Sequence, residues 1–476
     1  MYPNVQLYIN GAWRNAEGGR TIDVVNPADE TVIGSVAHAG DADLRDAVAA
    51  AQAAFDTWRK TPAFDRCQIM LRAAGLLRER ASDIGRLMTL EQGKPLAQSS
   101  FEAARAAGEL EWAANEGLRS YGRTIPARKP GSKVEAAKFP IGPVALFTPW
   151  NFPINQLARK LGPALAAGCT VIAKAPEETP AAPAELVRAF IDAGLPAGVL
   201  NLLYGDPARI AGHLIESRPV RKISFTGSVP VGKLLAEQAG RHMKRLTMEL
   251  GGHAPVLIFD DADVDLAISQ MGAIKYFNAG QTCATPNRFI VHDSQAEAFA
   301  QGFVRAARAV KVGDGLDPRT QMGPLANARR LQALQDMVRD AARRGANILT
   351  GGKRIGDRGY YFEPTVIANA PMDAMVRNVE AFGPVSVIST FSTYDEAVAE
   401  ANRLEAGLVS YAYTRSLATV NRLSEDVEAG NLVINDFTMA LPEMPYGGIK
   451  ESGYGVEGGS EAIAAYQFTK LISYAY

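Results

Sequence analysis

Three side chains in this sequence are placed for covalent chemistry at a carbonyl carbon. Cys283 stands in FNAGQTCATPNR, a polar loop between a helical and a β-rich segment. A thiolate is a strong nucleophile, and Gly280, Gln281, Thr282 and Pro286 make this loop irregular, with an accessible backbone. Most cysteines are instead small buried apolar groups. Cys67 on a helix and Cys169 at the start of an apolar strand read that way. Glu249 ends an apolar run in MELGG. A lone glutamate at such a place is ordinarily solvated, but two following glycines signal a close backbone approach, and a carboxylate held there can act as a base. Asn151, in TPWNFP, directly follows GPVALF and lies between prolines that stiffen its loop. Its amide can brace a turn or donate to a developing oxyanion.

FTGSVPVGKL reads as a strand end opening a helix, so its free backbone N–H groups suit a phosphate. Gly227 to Lys233 nearly matches the P-loop pattern. Leu234 occupies the place of the hydroxyl that would bind magnesium, so an ATPase reading fails. Gly453 to Gly458 spells G-x-G-x-x-G, but no clear strand precedes it and too little chain follows for a βαβ unit; it reads as a loop.

The elements that must position these groups follow an α/β pattern. Leu7 to Val36 alternates short β-rich runs with turns, Asp41 is expected to cap an alanine-rich helix through Trp58, and a second helix covers Arg66 to Arg80. Arg123 to Lys138 looks like a hairpin at its end. From Gly142, strand, loop and helix repeat through GPVALF, CTVIAK, GVLNLLYGD and VRKISFTGS, which predicts βαβ units and a parallel sheet. The polar residues at the strand ends fall where such sheets bind ligands. The cycle resumes at APVLIFDD, and the tail LISYAY is β-prone with no partner nearby in sequence, so that it could pair with another subunit.

A chain of 476 residues is long enough for two or three domains. Its net charge of -1 argues against a nucleic-acid or acidic-membrane partner. No apolar run approaches the roughly 20 residues that span a bilayer, and the N-terminus lacks the charge pattern of a signal peptide. Three scattered cysteines predict a reducing, cytoplasmic location, and no Cys/His cluster has metal-ligand spacing.

Taken in order, WNFP, KAPEETP, FTGSVPVG, MELGG, GQTC, EAFGP and PYGGIKESG resemble the motif series of the aldehyde dehydrogenase superfamily from Val5 to the C-terminus. HAPV, YGDPA, LPEMPYGG and SGYGVEGG bring the chain nearest to bacterial succinate-semialdehyde and α-ketoglutaric-semialdehyde dehydrogenases. The resemblance implies a Rossmann-like cofactor domain over 1–120 and 139–250, an α/β catalytic domain over 251–445, and a small β oligomerisation element with the tail over 121–138 and 446–476. A dimer or tetramer is expected. It implies that Cys283 attacks an aldehyde, that Asn151 and the Cys283 N–H hold the oxyanion, and that Glu249 activates the water that hydrolyses the thioester. The cofactor would be NAD, with NADP as the variant, held by Thr148, Trp150, Lys174, Glu177, Gly227, Ser228, Gly232, Leu250, Glu380 and Phe382. Glu177 would accept from the adenosine ribose and repel a 2′-phosphate.

The expected substrate is an ω-semialdehyde such as succinate semialdehyde. In that group two arginines and a serine hold the distal carboxylate. Arg159 matches the first arginine, but Phe277 stands where the second is expected and Leu441 near the serine's place. With Phe152 these residues would line an apolar tunnel, which makes an aromatic or medium-chain aldehyde the alternative. Three rival activities remain to be weighed. A thiol hydrolase would pair Cys283 with a histidine such as His253; a structural protein would need none of the three reactive groups; an acyltransferase would pass the acyl group to coenzyme A rather than water.

Overall fold

Strands Val144–Phe147, Val171–Lys174 and Leu200–Leu203 are each four residues long and buried throughout, as expected for the middle of a sheet covered on both faces. The computed structural model describes residues 2–476. These strands lie in an eight-stranded sheet with the order Ala12–Arg14, Leu7–Ile9, Leu200–Leu203, Val171–Lys174, Val144–Phe147, Lys222–Gly227, Arg245–Leu250, Gly453–Tyr454. The five central strands are parallel and the flanking ones antiparallel. Chain order reverses between Val144–Phe147 and Lys222–Gly227, and a crevice opens above such a switch point in sheets of this kind. The predicted βαβ series is therefore present, with helices Asn155–Ala167, Ala181–Asp192, Pro207–Glu216 and Val229–Arg241 on the connections.

A second, seven-stranded sheet holds Asn347–Thr350, Thr365–Ala368, Val385–Phe391, Arg288–His292, Pro255–Ile258, Val409–Tyr413 and Asn431–Ile434, parallel except at its first pair. Each sheet has its own apolar core. Two expectations are corrected. Asp41 is the first residue of helix Asp41–Trp58 rather than its cap; Asp43, one turn in, accepts from the Gly40 N–H at 2.9 Å. The tail strand Gln467–Ala475 has a partner within the chain, pairing antiparallel over nine residues with Ser132–Pro140. Gly453–Tyr454 forms a short edge strand beside Arg245–Leu250, while Gly455 and Gly458 keep the positive φ of a loop.

Candidate active site

Two parallel strands that flank Lys222–Gly227 carry Asn151 and Glu249, and a loop from the second part of the chain brings Cys283 to them. Strand Val144–Phe147 leads into Thr148 to Phe152, and Arg245–Leu250 carries Glu249 beside Thr226 in register. Cys283 follows a short turn, Phe277–Gly280, in which Asn278 and Ala279 have φ near 50°. Such left-handed non-glycine residues are costly and are kept where surrounding packing holds them. Cys283, Glu249, Phe152, Arg159, Phe277, Leu441 and Leu250 all line one cavity of about 490 Å³.

Asn151 is 3% exposed. Its side-chain amide donates to the Gln281 carbonyl at 2.9 Å, and its own carbonyl accepts from Lys94 Nζ at 2.7 Å and Asn278 Nδ2 at 2.9 Å. Asn151 thus ties the first sheet to the cysteine loop. An amide nitrogen has two N–H groups, which leaves one for a substrate oxygen.

Glu249 is buried, and neither of its carboxylate oxygens has a partner. Burial pushes its pKa well above the ordinary carboxylate value, and the charge of Glu457 pushes in the same direction. Once ionised, a carboxylate in that setting is a stronger base than an exposed one. Burial also raises the Cys283 thiol to about 11, against which a hydrogen bond with Tyr446 acts. The Tyr446 hydroxyl lies 3.5 Å from Cys283 Sγ. His253 turns the other way, its Nε2 3.1 Å from the Val376 carbonyl. The residue considered as a hydrolase partner is therefore engaged elsewhere.

The two glycines after Glu249 have a visible cause. A Cβ on Gly251 would lie 2.5 Å from the Glu380 carboxylate, whose other oxygen accepts from the Gly252 N–H at 3.3 Å. Burial raises Glu380 to about 7. Phe382 meets Trp150 edge to face, with centroids 5.5 Å apart.

A second cavity, of about 660 Å³, is lined by Thr148, Trp150, Lys174 and Glu177 among others. Lys174 Nζ is 2.6 Å from Glu177, which also accepts from the Gly205 N–H at 3.0 Å. Gly227, Ser228 and Gly232 do not line this cavity. They lie at the turn into helix Val229–Arg241, whose N-cap Ser228 makes no side-chain capping bond. The first-turn N–H groups are left for a phosphate. Gly232 lets Leu250 pack against the helix, since a Cβ there would come within 2.6 Å of Leu250 Cδ1. Thr148 and Thr226 hydroxyls are buried without partners. A cleft of this size, an uncapped helix start and orphan hydroxyls at the strand ends fit a dinucleotide.

Several residues of the site escaped sequence reading. Tyr446 lies inside the quoted PYGG segment and could have been suspected from it. Lys94 and Glu102 form a buried pair 2.5 Å apart, and Glu102 accepts from the Ile154 and Asn155 N–H groups, bracing the Asn151 loop. Arg159, expected to face a substrate carboxylate, is paired with Glu109 at 3.0 Å.

The model of the aldehyde dehydrogenase family matches residues 13–472. The chain is 44% identical to a 4-(hydroxymethyl)benzenesulfonate dehydrogenase of Comamonas testosteroni, covering 100% of this chain and 99% of that one. It is 41% identical to the NADP(+) succinate-semialdehyde dehydrogenase of Escherichia coli, over 97% of this chain and 96% of that one. The crystal structure of a succinate-semialdehyde dehydrogenase from Burkholderia pseudomallei superposes with a TM-score of 0.97 at 40% identity, covering 99% and 98% of the two chains.

Proposed function

The chain belongs to the aldehyde dehydrogenase family, whose members are NAD(P)-dependent oxidoreductases, and we propose that it oxidises an ω-semialdehyde such as succinate semialdehyde to the acid through a thioester on Cys283. The observation that carries this reading is the shared cavity. It places the one cysteine that is not fully buried among the described residues beside an unpartnered, buried Glu249, with guanidinium groups in the same wall.

In this reading the Cys283 sulfur attacks the aldehyde carbon, and the free N–H of Asn151 with the Cys283 backbone N–H holds the resulting oxyanion. The bound dinucleotide supplies a hydride acceptor. Thr148, Trp150, Lys174 and Glu177 would hold it in the cleft, the Gly227–Gly232 turn would bind its phosphates, and Glu380 and Phe382 would contact its reacting end. Glu249 takes a proton from the water that cleaves the thioester. The presence of Glu249 favours water, rather than coenzyme A, as the acceptor.

An apolar wall does exist: Phe152 and Phe277 are stacked with centroids 6.2 Å apart. By itself it would suit a neutral aromatic or medium-chain aldehyde. The guanidiniums in the same cavity favour an anionic end, and the activities named for the relatives above also concern anionic molecules. No helix is long and apolar enough to cross a membrane among the described residues. The three free cysteines among the described residues support a cytoplasmic location. The sheet of Arg123–Ile125, Ser132–Pro140 and the tail strand exposes Leu471 and Tyr474 and serves self-association; 1–120 with 139–250 and 251–445 serve as cofactor and catalytic parts.

A panel of aldehydes scored by NADH and NADPH formation tests this function. Acid formation from succinate semialdehyde, faster than from benzaldehyde or a medium-chain aldehyde, supports it. Faster turnover of the neutral aldehydes refutes the substrate, and a product that forms only with coenzyme A refutes the hydrolytic step.

A further inference from the structure

Helix Leu96–Gly117 presents Phe101, Glu102 and Arg105 to the cavity that holds Cys283. The spacing of four residues puts Phe101 and Arg105 on one face. Most charges around this cavity are already matched. Lys94 pairs with Glu102, Arg159 with Glu109, and Lys160 with Glu457. Arg105 is different: among the described residues it forms no ion pair, although it lines the cavity.

Its guanidinium is also incompletely hydrogen-bonded. One terminal nitrogen donates to the Ala440 carbonyl, and the Nε–H is buried with no acceptor. Arg159 donates to the same Ala440 carbonyl at 2.8 Å, and its Nε–H is likewise buried without a partner. Two guanidiniums thus meet at one carbonyl, each with an idle donor, in a cavity whose Phe277 supplies no charge. Buried donors without acceptors are costly, and an oxyanion that presents two or more acceptor oxygens is the group that a pair of guanidinium donors binds best.

We propose that Arg105 is a specificity-determining residue that binds the anionic end of the aldehyde, a carboxylate or a sulfonate, with the Arg159 Nε–H as second donor. This rests on the function proposed above. Glu109 is ion-paired with Arg159 and also lies within electrostatic reach of Arg105, which leaves Arg105 as the guanidinium with no ion-pair partner of its own. The cation that the Phe277 position lacks is supplied from a helix distant in sequence.

The test measures kcat/KM for two matched pairs, succinate semialdehyde against butanal and 4-formylbenzenesulfonate against benzaldehyde. It compares the wild type, Arg105→Gln and Arg105→Lys. The wild type is expected to prefer the anionic member of at least one pair, and which pair shows it tells carboxylate from sulfonate. Arg105→Gln is expected to lower that preference by about tenfold to a hundredfold, the range for a hydrogen bond to a charged group, mainly through KM. Arg105→Lys should restore part of it. A preference that survives Arg105→Gln overturns the inference and leaves the proposed function standing. An equal loss for charged and neutral members, restored equally by lysine, marks Arg105 as structural and also overturns it. If the wild type shows no anionic preference in either pair, the proposed substrate class itself fails.

Discussion

Replacing Tyr446 by phenylalanine removes one hydroxyl and keeps the ring that packs beside Cys283. That hydroxyl lies 3.5 Å from Sγ and is the leading influence holding the thiol down against burial. Burial keeps the phenol itself protonated far beyond its usual range, so it stays a donor. A hydrogen bond to a charged group is worth about 1.5–3 kcal/mol, which corresponds to about one to two pKa units. The Cys283 pKa should rise by that amount in Tyr446→Phe. Less thiolate forms below the pKa, but each thiolate is a better nucleophile, and this recovers roughly 0.4–0.5 of the effect on a logarithmic scale. Alkylation by iodoacetamide at a fixed, mildly alkaline pH should therefore slow by about 3-fold to 15-fold. The rate is read peptide by peptide, so that buried Cys67 and Cys169 report on the fold. Alkylation of Cys283 that is unchanged or faster in the variant, with the other two cysteines still protected, refutes the hydrogen bond's role.

Cys283→Ala should abolish NADH formation while cofactor binding, followed by fluorescence titration, stays near the wild-type value; Cys67→Ala should retain turnover, since that side chain packs in the first core. NAD should be used with a kcat/KM about tenfold or more above that of NADP, because Glu177 and Glu178 are paired with Lys174 and Arg329 while Asp206 adds a further negative charge to the cleft; a higher value with NADP contradicts this. Glu380, raised to about 7 by burial, accepts hydrogen bonds better once it has lost its proton. The KM for NAD should therefore fall as pH rises through that value, and Glu380→Gln should flatten the profile; an unchanged slope in the variant argues against a ribose contact.

Glu249 and Asn151 were legible because they sit at or just beyond the end of a short local strand, and Cys283 because it sits in a loop between a helix and a strand, with neighbouring glycines or prolines marking each. Cys283, Glu249 and Asn151 could be picked out in this way, and the cavity joins the first two. Long-range pairing was not legible from the residues themselves. The tail strand meets Ser132–Pro140 across more than three hundred residues, and nothing in LISYAY names that partner; only the family resemblance grouped the tail with 121–138. Lys94, Glu102 and Arg105 lie in or beside an alanine-rich helix whose charges look solvated; only tertiary packing turns them toward Asn151 and the substrate cavity. Arg159 was found by its motif, but its pairing with Glu109 depends on two helices packing together. Tyr446 fell between these cases, close to a visible motif yet brought to Cys283 only by the fold.

The central claim is a covalent acyl intermediate on Cys283 released by Glu249. It is tested most directly by rapid mixing of Glu249→Gln with NAD and succinate semialdehyde, followed by quenching and peptide mass analysis. A carboxamide cannot take the proton from water. The predicted result is one burst of NADH approaching one per active subunit, a slow steady state, and the acyl mass on the peptide that carries Cys283. A burst without any adduct on that peptide, or steady turnover at the wild-type rate, would contradict the account.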